Sequence, residues 1–188
     1  IHQLVAGFSR GDAISNQALT LRRIFAGWGF PSQIFCETRR ILPELRHEAV
    51  DMEEYRAQCR PADLVVLHLS IGSPANALFA ALPCRKAIIY HNITPPGYFR
   101  LLQPATARLL AQGRQQAQAL AGVATVNLAD SRFNADELVR LGYANPAVMP
   151  LFLDLAQLRD RIDRRVAKQA DDGKVNVLFV GRCAPNKK

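Results

Sequence analysis

The sequence predicts an α/β fold, an open parallel sheet with helices on both faces. Three observations carry that expectation. Short apolar runs recur along the chain, at Leu4-Val5-Ala6, Leu64 to Leu69, Ala87 to Tyr90 and Val123 to Ala129. Between them the apolar period changes to that of helices, as in Ile14, Ala18, Leu21, Phe25 and Trp28. The runs at 64–69 and 87–90 are almost wholly apolar, as expected of strands covered on both faces in a parallel sheet.

The first unit is strand, loop and helix. The apolar run stops at Gly7, a loop carries Gly11 and Asp12, and a helix is expected from about Asp12 to Ala26, with Asn16, Gln17 and Arg23 on its polar side. Gly27 or Gly29 ends it, and Pro31 blocks continuation. A glycine loop between a buried strand and a helix places free backbone N–H groups where open α/β sheets bind anions. Gly7-x-x-x-Gly11 lacks the close glycine pair of a dinucleotide fingerprint. A ligand loop and an ordinary strand-to-helix turn both remain open at this point.

Gln33 to Glu37 reads as a second short strand. Residues 39–60 are highly charged and irregular in their apolar spacing, consistent with a solvated face and one surface helix near 50–58. Asp63 to Leu69 is the next strand, followed by Ser73 as N-cap and Pro74 at the first position of a short helix. His68, inside that strand, reads as a hydrogen-bonded core residue.

Lys86 to Tyr90 repeats the pattern and ends in His91-Asn92-Ile93-Thr94-Pro95-Pro96-Gly97. A histidine at the tip of a parallel strand sits where such sheets present functional groups, and it can meet a hydroxyl or phosphate oxygen near neutral pH. The alternative for His91 is a residue capping the following turn. A helix is expected over Ala105 to Ala121, with Arg108, Gln112, Arg114 and Gln115 outside and an unfavourable glycine, Gly113, in its interior. The strand Val123 to Ala129 leads into a helix started by Ser131 or Asn134, the latter in capping-box spacing with Glu137, and stopped by Gly142. Ala147 to Met149 adds a further short strand.

These features divide the chain into a domain over 1–151, a charged connector over 152–173, and a strand at Val175 to Val180 with its loop, 174–188, that opens a second domain whose remainder is expected beyond Lys188. The net charge of +8, from 24 basic against 16 acidic residues, suits an anionic membrane face or phosphorylated substrates. No recognition helix or RNA-binding motif appears, so nucleic acid is not an expected partner. Cys36, Cys59, Cys84 and Cys183 are scattered without a C-x-x-C pair, which argues for reduced thiols rather than zinc or disulfides. With no long apolar run and no leader pattern, a soluble cytoplasmic protein is expected.

The ordered features resemble the two-Rossmann-domain (GT-B fold) nucleotide-sugar glycosyltransferases of the group 1, or family four, type. The pieces that carry the resemblance are Ala129-Asp130-Ser131-x-Phe133-Asn134-x-x-Glu137-Leu138-x-x-Leu141-Gly142-Tyr143, then Pro150-x-x-x-Asp154, then Val180-Gly181-Arg182-x-x-Pro185-x-Lys187. The resemblance implies a Rossmann-like acceptor-side domain, the first half of a GT-B architecture. It implies a transferase that moves a sugar, with retention of configuration, from a nucleoside-diphosphate sugar to a glycan or lipid-linked acceptor, as in polysaccharide biosynthesis.

Arg182 and Lys187 match the cations expected to stabilise the departing diphosphate. His91 matches a histidine expected to touch the donor sugar, and Gly11 matches a glycine loop near the diphosphate and acceptor. Many members have two adjacent glycines where this chain has Gly11-Asp12, which gives Asp12 a role towards acceptor hydroxyls; Asn92, beside His91, is a further expected substrate contact. The resemblance implies no metal and no cofactor beyond the sugar nucleotide, and a peripheral contact with the inner membrane face. The competing expectation is a non-catalytic α/β module that binds a phosphorylated sugar or polyanion.

Overall fold

A computed structural model of the chain describes residues 1–153, 163–171, 173–178 and 184–187. It divides into two compact units, Ile1–Leu151 and Phe152–Lys188.

The first unit is built on seven parallel strands: β1 (His2–Val5), β2 (Ile34–Cys36), β3 (Val50–Asp51), β4 (Leu64–Leu69), β5 (Arg85–Tyr90), β6 (Val126–Ala129) and β7 (Ala147–Val148). Their order across the sheet is β3-β2-β1-β4-β5-β6-β7. The chain winds outward in one direction from β1 to β3 and in the other from β4 to β7, so the sequence of strands reverses between β1 and β4. In open α/β sheets that reversal opens a crevice at the carboxyl edge.

Helix α1 (Ala13–Gly27) covers one face, where Ala18 packs with Val5 and Ile34, and Leu21 and Phe25 pack with Val66, Ala87 and Ile89. The other face receives α2 (Met52–Gln58), α3 (Pro74–Ala81), α4 (Pro104–Ala119) and α5 (Arg132–Arg140), over Leu4, Val65, Leu67, Leu69, Ile88 and Tyr90. The sheet is thus buried on both faces, as the apolar runs require.

Three details differ from the sequence expectation. Gln17 is buried, because it falls in the i, i+3, i+4 stripe of Ile14, Ala18 and Leu21, whereas Trp28 lies past the helix end and is 67% exposed. Residues 38–45 form two 3-10 turns rather than a featureless loop, and Phe8 bonds to that segment at Arg40 and Leu42. The last strand before α5 begins only at Val126, and Val123 belongs to the turn that ends α4.

Gly113 has a packing reason. A Cβ there would lie 2.5 Å from the Gly72 nitrogen, and one on Gly72 would lie 2.4 Å from the Leu109 carbonyl oxygen. Two glycines let α4 touch the loop after β4 backbone to backbone, with Gly72 N–H donating to Leu109 at 3.0 Å. The Gln116 amide closes the contact by accepting from Ser73 N–H and Asn76 and donating to the Ser73 carbonyl.

In the second unit, α6 (Arg164–Ala170) starts at Asp163, whose carboxylate caps Arg165 N–H at 2.8 Å. The helix falls inside the charged stretch 152–173, for which a connector or a surface helix is the expectation. The described residues 175–178 of the expected strand are not in a strand, and Val175, Val177 and Leu178 are exposed; Phe179 and Val180 lie outside the described residues. No helix among the described residues is long and apolar enough to cross a membrane.

Candidate functional site

The carboxyl edge at the reversal holds a cavity of about 310 Å³ between the loop after β1 and the loop after β4. Gly7, Ser9, Asp12, Arg40 and Ser70 supply its polar lining, and Phe8, Ile14 and Ile71 its apolar part. The Asp12 carboxylate caps α1: its Oδ2 accepts from Ser15 N–H at 2.9 Å and from Ser15 Oγ at 2.8 Å. Ser15 Oγ in turn accepts from Ser9 N–H, so the cap also shapes the loop. Gly11 has φ of +70° and open space where a side chain would stand, a backbone state that glycine adopts at no steric cost.

On the α1 face a file of polar side chains runs from β1 across β4 to the ends of β5 and β6. Gln3 and His68 stand diagonally across β1 and β4, where the register sets Gln3 against Val66 and Val5 against His68. Gln3 Nε2 donates to the Ala18 carbonyl at 3.0 Å, and Gln3 Oε1 lies 3.0 Å from His68 Nε2. His68 Nδ1 lies 3.0 Å from His91 Nε2, with the two rings stacked nearly parallel. His91 Nδ1 faces Asp130 Oδ2, at the end of β6, across 3.7 Å; the His91 side chain is only 2% exposed, and this nitrogen has no hydrogen-bond partner among the described residues.

Burial, with His91 alongside, holds His68 well below the ordinary imidazole range, so it is neutral. Burial alone would push the Asp130 carboxyl up, but the facing His91 and the Asn134 amide outweigh it and leave Asp130 below the usual carboxylate range.

On the opposite face a second file surrounds Glu137 of α5. Its Oε2 accepts from Tyr90 at 2.7 Å and from Asn92 Nδ2 at 3.2 Å, and its Oε1 pairs with Arg114 at 3.0 Å. Arg114 also donates to the Ile93 carbonyl, and the Tyr90 hydroxyl accepts from Ile93 N–H. Burial and the Glu137 carboxylate push the Tyr90 phenol up, which keeps it a donor. Asn92 holds a left-handed φ of 70° and gives Nδ2 to Asn134 Oδ1 as well, at 2.8 Å. Asn134 then donates to Asp130, which joins the two files.

The structure therefore brings His91 and Asn92 together at the end of β5 and puts Asp12 and Gly11 on the loop after β1. Arg182 lies outside the described residues, as does the side chain of Lys187; the Lys187 backbone is in a 3-10 turn, Pro185–Lys187. Ser131, not Asn134, is the N-cap of α5, accepting from Asn134 N–H at 3.2 Å, and Glu137 is not a capping residue. Arg114, expected outside, is drawn in to Glu137.

Sequence reasoning missed Gln3, Asp130 and Arg114 as members of the site. The available signal was a polar residue inside each of two buried strands, Gln3 and His68, which need partners when dry. Among the described residues no group of three or more His, Cys, Asp or Glu side chains could hold a metal ion. Cys36 and Cys84 are buried free thiols, pushed up by burial to about 12 and about 11.

No protein-family model matches the chain, and no curated protein matches it.

Proposed function

We propose that the chain is the acceptor-side part of a retaining nucleotide-sugar glycosyltransferase of the GT-B type. The observation that carries this reading is the cavity at the reversal between β1 and β4, with the His91–Asp130 pair on the same carboxyl edge of the sheet, at the ends of β5 and β6. The order of motifs from Gly11 through the Asp130-to-Tyr143 stretch to Lys187 supports it.

On this reading the loop from Gly7 to Asp12 is one wall of the acceptor cleft. The Asp12 carboxylate accepts from acceptor hydroxyls while it holds the start of α1. His91 lies against the donor sugar, and Asn92 sets the turn that carries it. Arg182 and Lys187 meet the diphosphate, where charge grows as the glycosidic bond breaks. The sugar's new bond forms to an acceptor hydroxyl oxygen, the old bond to the diphosphate breaks, and the hydroxyl proton passes to the departing diphosphate. Glycans and lipid-linked acceptors fit, the latter bringing the basic chain to an anionic membrane face at the cytoplasmic side.

The test is to express the full reading frame that carries this chain and measure hydrolysis of UDP-, GDP-, ADP- and TDP-sugars. Turnover of one of them, cut severely by Arg182→Ala and by Lys187→Ala with the fold intact, is the expected result. Binding of phosphosugars without any turnover would favour a non-catalytic binding module, and near-normal turnover in both variants would remove the donor-site assignment.

A further inference from the structure

The hydrogen on each ring of the Gln3–His68–His91 file can be placed by elimination. Gln3 Nε2 donates to the Ala18 carbonyl. A flipped amide would set two acceptors, Oε1 and that carbonyl, against each other, so Oε1 is the atom that faces His68 Nε2. A carbonyl oxygen can only accept, and the His68 hydrogen is therefore on Nε2. His68 is completely buried and neutral, which makes its Nδ1 a lone pair. That lone pair accepts from His91 Nε2 at 3.0 Å.

We infer that Gln3 and His68 are positioning residues that lock His91 with a hydrogen on Nε2 and leave Nδ1, facing Asp130, as the ring atom that no internal hydrogen bond among the described residues uses. The titratable groups that face the ring among the described residues are His68 from β4 and Asp130 from β6, with Asn134 of α5 tethering the latter. The two ring nitrogens thus differ: Nε2 is satisfied inside the protein, and Nδ1 stands 3.7 Å from Asp130 with no hydrogen-bond partner among the described residues.

This inference rests on the side-chain geometry and stands or falls apart from the glycosyltransferase reading. It is tested by nitrogen NMR of the whole chain labelled only at histidine. There are four histidines, so each imidazole can be assigned by single replacement. The expected spectrum at alkaline pH shows a protonated-type Nε2 and an unprotonated-type Nδ1 for His91, and the same pattern for His68. Gln3→Met removes the acceptor without changing size much. It is expected to move the two His91 nitrogens towards values averaged between the tautomers.

A parent spectrum with the His91 hydrogen on Nδ1 would overturn the inference, as would a folded Gln3→Met variant with unchanged imidazole shifts. If that variant does not fold, the parent spectrum alone decides, because it needs no substitution.

Discussion

Two carboxylates at the carboxyl end of the sheet have opposite surroundings. Glu137, on the α5 face, accepts from Tyr90, Asn92 and Arg114 and leaves neither oxygen idle. Asp130, on the α1 face, is held by Asn134 but looks across 3.7 Å at a nitrogen that has no hydrogen-bond partner among the described residues. A buried group with every partner in place holds a fold rigid; one that stops short of its partner keeps capacity for something else. The comparison gives the first face a structural role; ligand work on the second belongs to the proposed function.

The largest expected effect comes from breaking the satisfied side. Glu137→Ala leaves the Tyr90 hydroxyl without an acceptor and takes one partner each from the Asn92 amide and the Arg114 guanidinium, which keep Asn134 and the Ile93 carbonyl. Breaking a fully buried pair costs about 3–5 kcal/mol, but Arg114 is 38% exposed and water screens it. A loss of about 2–3 kcal/mol on chemical denaturation is expected, with the midpoint moved and the slope unchanged.

Gly113→Ala attacks the same face from a distance. Its new Cβ would stand 2.5 Å from the Gly72 nitrogen, so α4 must shift, carrying Arg114 away from Glu137. Overpacking of this kind costs about 1–3 kcal/mol, and a double variant with Glu137→Ala should cost less than the sum of the two.

Asp130→Asn is expected to change stability by no more than about 1 kcal/mol, since the amide keeps an oxygen for Asn134. Its effect should be seen above the acid range and vanish in acid: the Asp130 carboxyl lies below its ordinary value of 3.8, so its contribution is complete above that value and disappears as pH falls through the folded one. The variant should lack that part of the acid loss.

The remaining effect is a slope. The folded His68 refuses a proton that the unfolded chain accepts below its ordinary pKa of 6.5. Stability should therefore be complete above that pH and decline below it by up to about 1.4 kcal/mol per pH unit. His68→Leu should flatten this stretch of the stability–pH curve.

The two faces also differ in how much of them could be read from the sequence. The strands at 64–69 and 85–90 declare themselves by apolar runs, and α1 by its period, because burial on two faces or one leaves a local pattern. The all-parallel sheet follows from the alternation of those elements. His91 is legible as a residue at a strand tip.

Its partners are not, because Gln3, His68 and Asp130 meet only through strand order and register, which no local pattern encodes. Glu137 is a related case: its spacing from Asn134 mimics a capping box, and only the placement of Tyr90 and Arg114 reveals another use. Gly113 looks like a flaw in α4 until Gly72 is placed against it.

The most direct test of the division between the faces is to measure nucleotide-sugar turnover and melting temperature together, in the protein from the full reading frame, for Asp130→Asn and Glu137→Gln. Asp130→Asn is predicted to lower turnover at least about tenfold, roughly 1.4 kcal/mol in the barrier, with its melting temperature close to the parent's. Glu137→Gln is predicted to lower the melting temperature while its folded fraction turns over at the parent rate. Parent-like turnover in Asp130→Asn, with the loss of activity appearing in folded Glu137→Gln instead, would contradict the account.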